Sequence, residues 1–237
     1  MDRRIFLVAL AASGMTTTAR ADDLKNMLKA AVAPKHTVSS SDADKGLRET
    51  LSDGAASAVL RVSKTNGYWG DDAIRIPLPK ALGDVQKIAK PLGMSGALDE
   101  VHERMNHAAE GAAPLAKALF LDAIRAMTID DAVGIIKGGP TSGTDYLQKA
   151  TTPRLTTAFT SPMEDALQST GCVKSMDEAV KRNNLGGIVH GDAKTYLGKY
   201  AVGLALSGLF HYIGVEEASI RHDPGKTGSS LLKSVFG

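Results

Sequence analysis

The sequence has one cysteine, one tryptophan and aromatic residues at only 5% of its 237 positions. A single cysteine excludes an intramolecular disulfide framework, so Cys172 cannot staple the fold. No cluster of Lys and Arg is interleaved with aromatic residues, and the footprint of a nucleic-acid-binding surface is therefore absent. Sustained period-2 alternation bounded by Asn-Gly or Asp-Gly turns is also missing, apart from the short Ile74-Arg75-Ile76 stretch, which argues against a sheet. No apolar run reaches the roughly 20 residues needed to span a bilayer. The most apolar stretch, residues 200–215, contains His211 together with Gly203, Ala205, Ser207 and Gly208. It reads as the central buried helix of a bundle.

What is present is ordinary for a folded chain: 43% hydrophobic and 23% charged residues, which excludes disorder and collagen-like repeats. A single domain of this length buries roughly 70% of the surface its unfolded chain exposes.

The start of the chain departs from this average. Asp2-Arg3-Arg4 precedes an apolar run over residues 5–12 and then small and hydroxyl residues ending at Ala19-Arg20-Ala21. A basic start, a short apolar segment and an A-x-A site make a secretory signal peptide, with cleavage expected between Ala21 and Asp22. Arg3-Arg4-Ile5-Phe6-Leu7 also fits the twin-arginine export pattern, and an ordinary Sec leader that begins on an arginine pair is the alternative. The leader has no lipoprotein cysteine. Cleavage takes three arginines and one aspartate from totals of 28 basic and 26 acidic residues, leaving 25 of each. The formal charge of +2 thus belongs to the leader, and the mature chain, 22–237, is expected to be a neutral, periplasmic, single helical domain without a transmembrane segment.

Helical periodicity dominates that chain. Leu47, Leu51, Ala55, Ala58 and Val62 form one apolar stripe, with Ser41 and Asp44 spaced as a capping box at its start. Leu82, Val85, Ile88 and Leu92 repeat the pattern after Pro79, and Leu98, Val101, Met105, Ala108, Ala112, Leu115 and Leu119 extend it. Pro114 requires either two helices meeting near Gly111 or one helix bent there. Thr128 and Asp131 predict a second capping box on a helix that Gly138-Gly139-Pro140 stops. Ser161-Pro162-Met163-Glu164 and Ser175-Met176-Asp177-Glu178 predict two more starts, with Gly171 beyond the end of the first. Residues 141–152 and 183–195 read as loops. The fold class expected is all-α: a compact multi-helix bundle with irregular loops.

Familiar catalytic spacings fail. His102 and His107 are five apart and diverge by about 140° around a helix, so one metal cannot easily take both. Pro224-Gly225-Lys226-Thr227 has the tail of a P-loop, but Ile220 stands where its first glycine belongs. Asp42 and Asp44 begin like a calcium loop, yet Gly46 occupies the third ligand position and Asp53 the closing one. No G-x-S-x-G elbow occurs, and Cys172 has no histidine nearby in sequence. Neither a metal nor a cofactor is expected.

The most unusual segment runs Asn66-Gly67-Tyr68-Trp69-Gly70-Asp71-Asp72-Ala73-Ile74-Arg75-Ile76-Pro77-Leu78-Pro79. Adjacent aromatics between glycines, then paired carboxylates and two prolines, offer a candidate ligand or partner site at Tyr68, Trp69, Asp71, Asp72 and Arg75. The structural alternative has the rings pinning an irregular loop to the bundle while Asp71 and Arg75 bridge locally.

Three further segments share an order with this one: Met105-Asn106-His107-Ala108-Ala109-Glu110, Phe120-Leu121-Asp122-Ala123-Ile124 with Met127-Thr128, and the end Leu231-Leu232-Lys233-Ser234-Val235-Phe236-Gly237. Together they resemble the bacterial domain-of-unknown-function family 4197 from about Leu47 to Gly237. Residues 172–194, richer here in Gly and Asn, depart from the family's pattern. The resemblance implies an exported, predominantly helical protein and carries over no activity or catalytic residue. The function expected is non-catalytic binding of an apolar small molecule or a cell-envelope partner. The rivals are an enzyme whose carboxylates, such as Asp71, Asp72 and Asp122, converge only on folding, and a purely structural envelope component.

Overall fold

A computed structural model describes residues 40–182 and 192–227, which belong to one compact unit, Val38–Gly237. The leader and its cleavage site, residues 183–191 of the expected loop and the motif at 231–237 lie outside the described residues. Among the described residues the chain is helical, with no strand. The helices are α1 (Ser40–Val62), α2 (Lys80–Ala89), α3 (Gly96–Ala112), α4 (Ala116–Ala126), α5 (Ile129–Lys137), α6 (Ser142–Ser169), α7 (Cys172–Arg182) and α8 (Ala193–His222).

Helix α8 is the axis, packing against α1, α3, α6 and α7. Asp192 caps it by accepting from the amides of Lys194 (2.9 Å) and Thr195 (3.2 Å), which corrects the loop expected to continue to residue 195. Leu197, Ala201, Ala205, Leu209 and Ile213, four apart, close one side, and Val202, Leu206, Phe210 and Tyr212 close the flanks. What remains is a strip of exposed residues four apart: Lys199, Gly203, Ser207, His211, Val215 and Ser219. Residues at i and i+4 stack on one side of a helix, so this strip is continuous.

The apolar stripe of α1 is buried as its period requires. Its expected capping box does not form. Ser41 already lies inside the helix, and the carboxylate of Asp44 accepts from Arg48 at 2.9 Å. Arg48 donates in turn to the carbonyls of Ile124, Arg125 and Met127 at the C-terminus of α4, a stronger use of the cation than an isolated surface pair. Pro114 sits in a single 3₁₀ turn, Ala113–Leu115, that separates α3 from α4. Three residues per turn shift the helical phase, so Leu115 is left 46% exposed and Ala116, Phe120 and Ile124 take over the buried face. Thr128 and Asp131 form the predicted capping box of α5.

Two more expected boundaries give way to continuous helix. Helix α6 begins at Ser142, which corrects the loop expected over residues 141–152 to helix, and it runs through Pro153 and Pro162 without a break. A proline inside a helix costs about 3 kcal/mol, but the buried residues Leu147, Thr151, Leu155, Phe159, Met163 and Leu167 keep a strict spacing of four across both. The carbonyls the prolines release belong to Lys149 and Ala158, both exposed to water. Likewise α7 starts at Cys172 rather than Ser175, whose amide already donates to the carbonyl of Gly171 at 3.0 Å. Burial pushes the Cys172 thiol up to about 12, so it stays protonated and unreactive.

A buried carboxylate fixes where α6 meets α8. Glu217, 1% exposed, accepts from the amides of Gly143 (2.9 Å) and Thr144 (2.7 Å) and the hydroxyl of Thr144 (2.7 Å). Arg221 supplies the counter-charge at 2.8 Å and donates to the carbonyl of Ile135 at 3.1 Å. Glu217→Ala strips the cap from α6 and leaves Arg221 without that partner, so chemical denaturation should record a loss of about 3–5 kcal/mol. Glu217→Gln should lose visibly less.

Candidate functional site

Helix α3 builds the aromatic loop by presenting polar groups at i, i+4 and i+8 on its buried side: His102, Asn106 and Glu110. Glu110, 6% exposed, accepts from the backbone amides of Asn66, Tyr68 and Trp69, each at 3.1 Å. His107 holds the same carboxylate at 2.8 Å through Nδ1. Four residues back, the fully buried Asn106 accepts from the amide of Ile76 (2.8 Å) and donates to its carbonyl (2.9 Å). That is the pairing a neighbouring strand would give. The alternation at Ile74-Arg75-Ile76 is thus satisfied by a side chain instead of a sheet.

Tyr68 is wholly buried, and its hydroxyl donates to the carbonyl of Ala205 in α8 at 2.6 Å. The ring rests on Gly208, where a Cβ would come within 2.7 Å of Tyr68 Cε1. Burial, with the Glu110 charge adding to it, raises the phenol far above its ordinary range. Tyr68 is therefore a locking pin between loop and axis, its ring closed off from the surface.

The other expected site residues remain nearer the surface and split between two sides of the loop. Trp69 is half-buried, edge-on to His102 at 4.9 Å, with the Arg75 guanidinium 5.2 Å from its ring. Arg75 donates to the carbonyl of Trp69 at 2.6 Å and pairs with the exposed Asp72 at 2.7 Å. Asp71 accepts from the Tyr212 hydroxyl of α8, from the amide of Ala73 at 3.1 Å, and pairs with Arg61 at 3.6 Å. The Tyr212 hydroxyl chiefly holds Asp71 below the usual carboxylate range, against the effect of burial, and Ala73 and Arg61 assist. Burial chiefly lowers the pKa of His102, with the Ile76 backbone opposing, and its Nε2 is enclosed without a partner. Asp122 lies on α4, half-exposed and paired with Arg125 at 3.2 Å.

Beyond the loop the open strip of α8 becomes the floor of a trough. Its larger part, about 530 Å³, is lined by Phe210, Gly214, Val215 and Ala218 and walled by Thr144, Asp145 and Gln148 of α6. A smaller hollow of about 170 Å³ continues it to Ala73, Ile74 and Arg75. Ser207 and His211 line both. A separate depression of about 540 Å³ holds Asp71 and Asp72 with Arg61 and Lys64 on the far side of the loop. Among the described residues no group of three or more His, Cys, Asp or Glu side chains is arranged to hold a metal ion.

The loop's chemistry is thus largely spent on holding itself in place, and the residues that do so, Glu110, Asn106 and Tyr212, were not among those expected. A signal for two of them existed: Asn106 and Glu110 are polar positions four apart within the apolar stripe of Met105, Ala108, Ala109 and Ala112. Glu110→Ala leaves three amides without their acceptor and should cost about 3 kcal/mol or more. Trp69→Ala removes ring contacts alone, and thermal melting should show about 1 kcal/mol.

Comparison with curated proteins and with solved structures finds no match for this chain. A family model does match, over residues 37–237, and it spans every described helix. By that match the chain belongs to the family described as protein of unknown function, DUF4197.

Proposed function

We propose that this is an exported, non-catalytic binding protein that receives an elongated, largely apolar ligand or the apolar segment of a cell-envelope partner in the trough over α8. The observation that carries this reading is the open strip on the axial helix. A central helix normally loses all its surface to its neighbours, and here α6 and the aromatic loop stand apart so that Ser207, His211 and Val215 stay exposed. The larger part, about 530 Å³, falls in the range of about 300–1,000 Å³ usual for small-molecule sites. Phe210, Gly214, Val215 and Ala218 supply its apolar floor, while Thr141, Thr144, Asp145, Gln148, Ser207 and His211 give the polar groups that orient a guest.

The commitments of the carboxylates at the loop and at the start of α6 favour binding over catalysis, and Asp145 is left as the exposed acid on the trough wall. Glu110 and Glu217 accept from backbone amides, and Asp71 and Asp72 are tied to Tyr212, Arg61 and Arg75. A general acid or base needs a lone pair or proton within reach of substrate. Export to the periplasm rests on the leader alone, and the accumulated protein should begin at Asp22 when its intact mass is measured.

Native mass spectrometry of protein taken from its host, with lipid extraction in parallel, tests the binding reading. An apolar adduct should be present in the wild type and lost in Ser207→Trp, whose ring fills the trough from an exposed position and should shift stability by no more than about 0.5 kcal/mol. An adduct retained by Ser207→Trp, or no adduct and no cross-linked partner in the wild type, would overturn it.

A further inference from the structure

The three most exposed large apolar side chains among the described residues lie within one short segment: Ile88 at 72%, Leu92 at 69% and Met94 at 65%. The stripe expected for α2 buries Leu82 and half-buries Val85, then turns its second half outward. The helix end explains why these side chains gather. A 3₁₀ turn, Lys90–Leu92, follows α2, and Gly93 takes φ +67°. The amide of Gly93 donates to the carbonyl of Lys90 at 3.1 Å and that of Met94 to the carbonyl of Ala89 at 3.0 Å. This paired closure folds the residue after the glycine back against the last helical turn. Ile88 and Leu92, four apart, and Met94 therefore crowd one tip of the molecule.

Two cations sit within the tip segment: Lys87 is 81% exposed and Lys90 is exposed as well, while Lys80 lies at the far end of α2. Asp84, the only acid in the segment, pairs with Lys80 at 2.8 Å and Lys87 at 3.9 Å. Asp99 of α3 is taken up by Gln86 at 2.6 Å and Ser95 at 2.7 Å, which fastens α2 to α3 with its apolar tip outward.

We propose that this tip is a docking face for an anionic lipid bilayer, with Ile88, Leu92 and Met94 entering the acyl boundary and Lys87 and Lys90 meeting headgroup phosphates. Lysine is depleted in the cores of protein interfaces but typical of the polar side of helices lying in a membrane surface, and its long stem reaches along apolar surface while the ammonium stays in water. The attachment is peripheral, because among the described residues no helix is long and apolar enough to cross a membrane. It is independent of the trough.

Co-sedimentation with vesicles tests the face, using the protein in the form its host accumulates, so that any leader contribution is common to wild type and variants. The wild type should bind vesicles of equal parts phosphatidylcholine and phosphatidylglycerol and bind pure phosphatidylcholine far more weakly. Combining Ile88→Ser, Leu92→Ser and Met94→Ser should weaken binding about tenfold or more, with an unchanged melting curve. Lys87→Glu with Lys90→Glu, or about 0.5 M salt, should weaken binding to the anionic vesicles selectively. Equal binding by wild type and the triple variant would overturn the proposal. So would a lack of vesicle binding alongside a dimer, seen by sedimentation, that the triple variant abolishes; that outcome would give the face to a second copy of the chain.

Discussion

An axial helix can be enclosed by several others only if the chain comes very close to its backbone, and α8 meets that constraint at Gly208, where the Tyr68 ring rests against it. The contact does more than fill space. It brings the Tyr68 hydroxyl onto the carbonyl of Ala205 and places the aromatic loop beside the strip of α8 that remains open. Were a larger residue at 208, the ring would have to move away and the wall of the trough would move with it.

Two buried carboxylates extend the same logic. Glu110 ties the loop to α3 and Glu217 ties the start of α6 to α8. Each accepts several amides that have no other partner nearby, so each converts an irregular or terminal backbone into a fixed edge. The loop and the start of α6 are also the two walls of the trough. Burying a carboxylate is costly unless its oxygens are filled, and filling them with backbone amides makes the positions of the two walls depend on one residue apiece. The same economy leaves little for chemistry at Tyr68 and Asp71, whose polar atoms face inward to Ala205 and Tyr212.

Periodicity alone recovered the helices whose buried stripes keep one phase, such as Leu47 to Val62, and local capping recovered Thr128 with Asp131. It failed where a local signal competed with a long stripe. Pro162 and Ser175 look like helix starts, but the burial of Leu155, Phe159 and Met163 outweighs the bond a proline removes, and the amide of Ser175 already has its acceptor in Gly171. The outward half of α2 failed for the opposite reason: an apolar period says that residues share a face, not that anything covers it.

The candidate site divided in the same way. Composition made the pair Tyr68-Trp69 conspicuous, and the sequence by itself determined a helical fold class, the exclusion of an intramolecular disulfide, and one glycine-flanked loop worth attention. Only the tertiary structure decided that Tyr68 is a pin, that Asp71 belongs to Tyr212, and that the open surface lies on α8 between the loop and α6. The physical reason is distance along the chain. Glu110 lies 42 residues from Tyr68, and Ala205 137. No local pattern encodes which backbone amide or carbonyl a folded neighbour will bring within 3 Å.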